Sequence, residues 1–336
     1  MQNLLDPAIL FFVFGTLAGA LKSNLEIPPA ISKFLSLYLL MALGLKGGFA
    51  LAHSGLSATV MVSLGAAMLM AFIVPALGYQ LLKHHVSRFD AAAIAASYGS
   101  VSAVTFVTAM QHLEASQMTF GGHMAVAMVV MESPAIIMAV LLANALRHGQ
   151  MGAVTVNSSG SAAIAAFGGP DAGMSLGKIL RESFTDGAHL LLLGAMAIGY
   201  LSGDAGKAVM APFSSDLFKG MLAFFLLDMG LMVAKSFGSV RGKSPVLIAY
   251  AVIGPLVHAS IALVLSILLK LPAADAALLM VLSASASYIV VPAVLRYAIP
   301  EANPSLYFGL SLGVTFPLNI LFGIPLYTFL ARHFIG

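Results

Sequence analysis

The chain has 336 residues, 60% of them hydrophobic and only 9% charged, with a mean hydropathy of +0.98. Soluble domains carry about a quarter of their residues as charges, so a water-soluble enzyme or binding module is excluded. The net charge of +3 is scattered through short loops and is no nucleic-acid signal, and the absence of cysteine removes disulfide and thiolate chemistry.

Apolar runs long enough to cross a hydrocarbon core of about 30 Å recur along the whole chain. In order they lie near 8–22, 29–52, 58–83, 90–112, 121–147, 184–202, 212–237, 245–271, 275–298 and 305–333. They are continuous rather than alternating, which predicts about ten α-helices and not a transmembrane barrel. Asp6 precedes the first run and no basic n-region is present, so no cleaved signal peptide is expected. Residues 148–181 are rich in Ser, Gly and Ala and read as a linker. The expected organisation is therefore a five-helix unit at 1–147, the linker, and a second five-helix unit at 182–336.

Lys and Arg set the expected orientation. With the N-terminus outside, Lys22, Lys83, Arg88, Arg147, Lys178, Arg181, Lys235, Arg241, Lys243 and Arg296 fall inside; Lys207, Lys270 and Arg332 fall outside. Both termini are then outside and the linker is cytoplasmic.

The two units match each other. Gly44-Leu45 pairs with Gly230-Leu231, Asp90 with Asp275, Ser100 with Ser285, Ser102 with Ser287, and Pro134 with Pro317, in the same order and at nearly constant offset. An odd number of spans per copy makes the second copy enter from the opposite side, so the copies are expected to be inverted repeats.

Within this repeat, "SYGSVSAVTF" (97–106) and "LSASASYIVV" (282–291) place small hydroxylated residues at membrane depth. Tight helix packing favours such residues. The pairing across the repeat favours a second reading, two helices interrupted near the midplane whose N-termini face an anion. Gly99 would permit close approach, and Ser and Thr hydroxyls could donate to the ligand. The substrate-binding candidates are Gly99, Ser100, Val101, Ser102, Ala103 and Thr105 in the first copy and Ser285, Ala286, Ser287 and Tyr288 in the second.

"GSVSAVTFVTAMQHLE" (99–114), "MESPAIIMAVLLAN" (131–144), "SASASYIVVPAVLRYAIPEANPS" (283–305) and "GVTFPLNILFGIPLY" (313–327) resemble the sodium-dependent bicarbonate transporter family of cyanobacteria and other bacteria. The resemblance implies ten helices in a five-plus-five inverted repeat with discontinuous fourth and ninth helices. It implies a gate or scaffold domain (1–53 and 182–240) that forms homotrimers, and a core transport domain (58–147 and 244–334) that moves like an elevator. It implies bicarbonate between the broken helices, with sodium as coupling ion and no other cofactor. The candidate sodium ligands are Ser102, Thr105, Glu132, Ser287, Thr315 and Asn319. A bacterial inner membrane and a cytoplasmic PII-like regulator are further implications. Gly99, Val101, Ser102, Thr105, Ser285, Ser287, Ile289 and Pro292 agree with the family pattern. Ala286 stands in place of a Ser, and Tyr288 in place of an Asp. Losing that carboxylate weakens the case for a dehydrated cation more than the case for an anion.

Charged residues inside spans are costly and ask for a reason. Asp228 is either a gating or coupling group or a polar tie between helices. Glu132, beside Ser133-Pro134 and an expected helix break, is either a coupling group or a locally satisfied carboxylate. Asp90 and Asp275 read as helix caps, Lys46 as snorkelling ahead of substrate binding, and His258 as a packed histidine hydrogen-bonded to a neighbouring helix ahead of a proton relay. No elbow, zinc or paired-aspartate motif points to an intramembrane enzyme. A channel or a porter of another small carboxylate or inorganic anion, proton- or sodium-coupled, stays open beside bicarbonate transport.

Overall fold

The computed structural model describes residues 6–55, 57–151, 187–240, 242–288 and 290–336. Among them all regular structure is helical. The first half comprises α1 (Pro7–Ala20), α2 (Pro29–Ser54), α3 (Ala58–Leu82), α4 (Arg88–Gly99), α5 (Ala103–Ala115) and α6 (Met124–Met151). The second comprises α7 (Gly187–Ala211), α8 (Phe218–Val240), α9 (Pro245–Leu268), α10 (Ala273–Ala284), α11 (Val290–Ala298) and α12 (Pro304–Phe334).

Local chemistry explains where these helices begin. Asp6 caps α1 by accepting the Ala8 N–H at 2.8 Å, and Pro7 supplies a pre-set φ at the first position. Ser57 caps α3, Ser87 caps α4 and Asn303 caps α12 ahead of Pro304. Among the described residues seven segments are long and apolar enough to cross a membrane, and the chain is an integral membrane protein. One of them, Leu190–Gly238, holds both α7 and α8. α1 and α10 are shorter apolar helices. Within the described residues, each of the ten expected runs thus falls on one helix or on a broken pair; 184–186 of the sixth lie outside them.

One boundary differs from expectation. α6 continues to Met151, four residues into the expected linker, and the rest of that linker lies outside the described residues. α7 is interrupted at Gly203 (φ 52°, ψ −140°), a kink where two helices meet, so its first helical run ends where the expected run ends at 202 and a second short one continues to Ala211.

The packing pairs the first helix of each half with the second helix of the other: α1 lies along α8 and α2 along α7. Gly44 and Gly230, matched in the repeat, sit at equivalent contacts. A Cβ on Gly44 would lie 2.4 Å from the Leu192 carbonyl oxygen, and one on Gly230 2.2 Å from that of Phe12. Close backbone approach of this kind is how helices pack without a hydrophobic driving force. The remaining helices group as α3, α4 and α6 on one side and α9, α10 and α12 on the other.

Asp90 and Asp275 prove to be more than caps. Asp90 Oδ1 accepts the Asn303 N–H at 2.7 Å, and Asp275 Oδ1 accepts the Gly121 N–H at 2.7 Å. Each carboxylate ties the start of a broken helix to a loop of the other half. The cap of α4 is Ser87 instead, which accepts the Asp90 N–H. Sequence spacing shows a first-turn acid but not the partner two hundred residues away.

Beside Asp90's loop, Arg147 grips Glu301 with two bonds, 2.7 and 2.8 Å, and also donates to the Ala298 carbonyl. The Arg147 guanidinium holds the Glu301 carboxyl below its usual range. A depressed carboxylate adds stability at neutral pH that is lost as pH falls through the folded-state pKa. Glu301→Gln is therefore expected to lower the melting temperature at pH 7 by about 1–2 °C. The difference from the parent protein should persist down to the unperturbed carboxyl pKa of about 4.3 and disappear only below it, as pH falls through the lower folded-state value, as read by thermal unfolding in detergent.

Candidate functional site

Both hydroxylated stretches are places where a helix stops. Ser and Gly are weak helix formers, and Ser competes with the backbone for its own hydrogen bonds. α4 ends at Gly99, Ser100 is extended (φ −93°, ψ −179°), and α5 opens at Ala103 with Ser102 as its cap. α10 ends at Ala284, Ser285 is extended (φ −80°, ψ 166°), and α11 starts at Val290.

The two breaks meet. The Ser287 N–H donates to the Ser97 carbonyl at 2.7 Å. The Ser102 N–H donates to Ser285 Oγ at 3.0 Å, and that hydroxyl donates onward to the Leu282 carbonyl at 2.9 Å. Backbone groups freed by the breaks are thus satisfied across the crossing, as membrane burial requires. Four helix ends converge here. The N-termini of α5 and α11 bring positive dipole ends, and the C-termini of α4 and α10 bring negative ones. An anion suits the first pair and a cation the second.

Several candidates are engaged in hydrogen bonds within the protein. The Ser102 hydroxyl accepts from Thr105 twice, from its N–H at 3.3 Å and its Oγ1 at 2.9 Å. The Ser287 hydroxyl accepts the Val291 N–H at 3.4 Å. These two hydroxyls cap the half-helices. The crossing hydroxyls without a partner among the described residues are Ser97, Ser100, Ser283 and Ser311, all buried. Ser97 and Ser283 lay within the quoted stretches. Ser311 carried only the weak signal of standing four residues before Thr315 on α12. Gly99 serves packing, since a Cβ there would come 2.5 Å from the Pro75 ring of α3. Val101 and Ala286 are buried within the extended links, and Ala103 opens α5.

α12 supports the crossing from the side. Its first π turn spans Ser311–Thr315 and its second Asn319–Gly323, on either side of Phe316–Leu318. π turns are frequent at functional sites. Tyr98 of α4 donates to Thr315 Oγ1 at 2.6 Å, and that hydroxyl donates to the Ala251 carbonyl at 2.8 Å. Asn319 Nδ2 donates to the last carbonyl of α10, Ala284, at 2.8 Å, while its Oδ1 accepts from Tyr327 at 3.1 Å. Thr315 and Asn319 therefore hold the ends of the two broken helices. Glu132 is buried on α6. The expected break at Pro134 does not occur, because α6 runs through it; a proline removes one backbone bond without having to end a long helix. His258 is buried against Tyr250 with ring centroids 6.3 Å apart, and its Nδ1 has no hydrogen-bond partner among the described residues.

Tyr288 closes the crossing toward α8. Its ring meets Phe316 edge-on at 5.2 Å, and its phenol donates to the Met229 sulfur at 3.6 Å. Phe316 in turn meets Phe12 of α1 edge-on at 5.6 Å. The residue before Met229 is Asp228, a buried carboxylate whose Oδ2 has no hydrogen-bond partner among the described residues. An acid is thus present beside the crossing, on the facing helix.

Two interrupted helices crossing inside a polytopic helical membrane protein define the class of a membrane carrier or channel. The family description "Na+-dependent bicarbonate transporter superfamily" matches residues 7–332, nearly the whole chain, and the chain belongs to that superfamily. No individually curated protein matches the sequence.

Proposed function

We propose that this protein imports bicarbonate across a bacterial inner membrane as a sodium-coupled secondary transporter. The observation that carries the reading is the crossing of two repeat-matched helix breaks, with both N-terminal dipole ends beside buried free hydroxyls. Bicarbonate is small, planar and singly charged, which suits helix N-termini and serine hydroxyls rather than an arginine clamp. Membership of the superfamily supports the substrate and the ion.

The two halves act as inverted repeats. The reciprocal pairings support this: α1 with α8 against α2 with α7, and Asp90 with Asn303 against Asp275 with Gly121. α1, α2, α7 and α8 form the gate; the other helices form a core that carries the crossing past it in an elevator-like step. Sodium is held near the negative ends of α4 and α10 by oxygens drawn from Ser102, Thr105, Glu132, Ser287, Thr315 and Asn319. Asp228 on the gate offsets the charge that Tyr288 does not supply. The homotrimer, the PII-like partner and the outward termini complete the proposal.

Isothermal titration of the purified protein with bicarbonate, at fixed pH and ionic strength, tests the site. Binding strengthened at least about tenfold by sodium over choline supports linked sites. Binding indifferent to sodium removes sodium coupling. No heat with bicarbonate but binding of a small carboxylate replaces the substrate.

A further inference from the structure

We propose that the cavity between α2, α5 and the corner joining α7 to α8 is an anion vestibule, in which Lys46 receives a small oxyanion on its way to the crossing. The inference rests on the transport reading above and adds a second anion position to it. The cavity encloses about 760 Å³. It opens beside the C-terminal end of α5, at the face of the molecule that carries Asp6 and Arg332. His112, on the last turn of that helix, lines one pocket with Asp6 and another with Arg332 and His333.

Three lysines line the cavity, Lys46, Lys207 and Lys219, against the acids Glu114 and Asp216. On the charge reading this is the outer face, where topology does not ask for lysines. Their presence in a concave site needs another reason, and attraction of anions supplies one.

The cavity also leads somewhere. Glu114, Met110 and Phe106 line it, spaced by four residues on α5. That spacing puts them on one helix face. The next position on the same stripe is Ser102, the cap at the break, about 6 Å further along the axis. An anion moving down this stripe passes from Glu114 at the mouth to the crossing at its end.

Lys46 stands at the mouth. Its ammonium meets both oxygens of Glu114, at 3.0 and 3.2 Å, and lies 4.3 Å from the centre of the Phe218 ring. An ammonium has three donors, so it can take an incoming oxyanion while releasing the carboxylate. Glu114 is then a tethered stand-in for the anion. The pair also joins α2 of the gate to α5 of the core, so an arriving anion that breaks it frees the two bodies to slide. This replaces the snorkelling expected of Lys46.

The test uses the sign of two substitutions. A purely structural strut loses function alike from either end. A site where Glu114 competes with substrate does not. In proteoliposomes at constant ionic strength, Lys46→Gln is expected to raise the KM for labelled bicarbonate about fivefold, and Glu114→Gln to lower it or leave it unchanged. KM rising in both variants would overturn the proposal. A second measurement needs no transport. Acylation of Lys46 by a water-soluble amine reagent, read by peptide mass spectrometry against Lys270, should slow at least about threefold in bicarbonate or formate but not in bulky gluconate. Equal labelling in all three salts would overturn the vestibule, even if uptake succeeds. Protection of Lys46 without any bicarbonate uptake would uphold the vestibule and remove the transport reading instead.

Discussion

Gly230→Leu is expected to abolish recovery of folded protein. Gly230 on α8 faces α1 so closely that even a Cβ would lie 2.2 Å from the Phe12 carbonyl oxygen and 2.7 Å from the Thr16 nitrogen. Those are backbone atoms of a helix, and they cannot step aside as a flexible side chain would. Overpacking in a core costs about 1–3 kcal/mol when side chains can adjust. Here the alternative is separating α1 from α8 along their whole contact, with no hydrophobic effect to hold a looser arrangement together in lipid. Gly220→Leu is the matched control on the same helix, since nothing lies within 4 Å of a Cβ there. Size-exclusion chromatography of the two variants after mild solubilisation should give a folded peak for Gly220→Leu and none for Gly230→Leu. A normal peak for both would mean that α1 and α8 do not pack this tightly.

Ser285→Ala is expected to lower bicarbonate uptake by at least about tenfold, equivalent to 1.4 kcal/mol, while the protein still folds. The Ser285 hydroxyl is the acceptor for the Ser102 N–H and so positions the cap of α5. Without it that buried N–H is stranded, at a cost of about 1–3 kcal/mol. Relief comes only by shifting the start of α5, which is the dipole end proposed to face the anion. The fold survives because the Ser287 N–H to Ser97 carbonyl bond and the Asn319 tie to Ala284 remain. The readout is initial uptake rate per folded protein in proteoliposomes. Unchanged uptake would place the substrate away from the crossing, and loss of the folded peak would make Ser285 a packing residue.

Much of the architecture was legible in the chain because hydropathy and capping act locally. The runs at 29–52, 58–83 and 245–271 end within a few residues of α2, α3 and α9. The breaks were legible for a related reason, since Ser and Gly clustered at membrane depth are poor helix material and recur in both halves. What distance in sequence hides is the partner. Nothing at Asp275 points to the Gly121 N–H, and nothing at Lys46 points to Glu114. The same limit applied to roles inside the site. Ser102 and Ser287 carry the motif, yet their hydroxyls cap helices, and buried Ser97, Ser100, Ser283 and Ser311 hold the free hydroxyls. A hydroxyl's first obligation in a membrane is the nearest unsatisfied backbone group, and only the folded geometry says which one that is. Tyr288 is the converse case. Its substitution for an acid was visible, and so was Asp228, but not that α8 brings the two together at the crossing.

The central claim is tested most directly by uptake of ¹⁴C-bicarbonate into proteoliposomes at fixed pH, with an inward sodium gradient or an equal choline gradient. The account predicts concentrative uptake with sodium and only equilibration or none with choline. Bicarbonate accumulation equal in the two conditions would contradict sodium coupling, and no uptake in either by folded, inserted protein would contradict bicarbonate as the substrate.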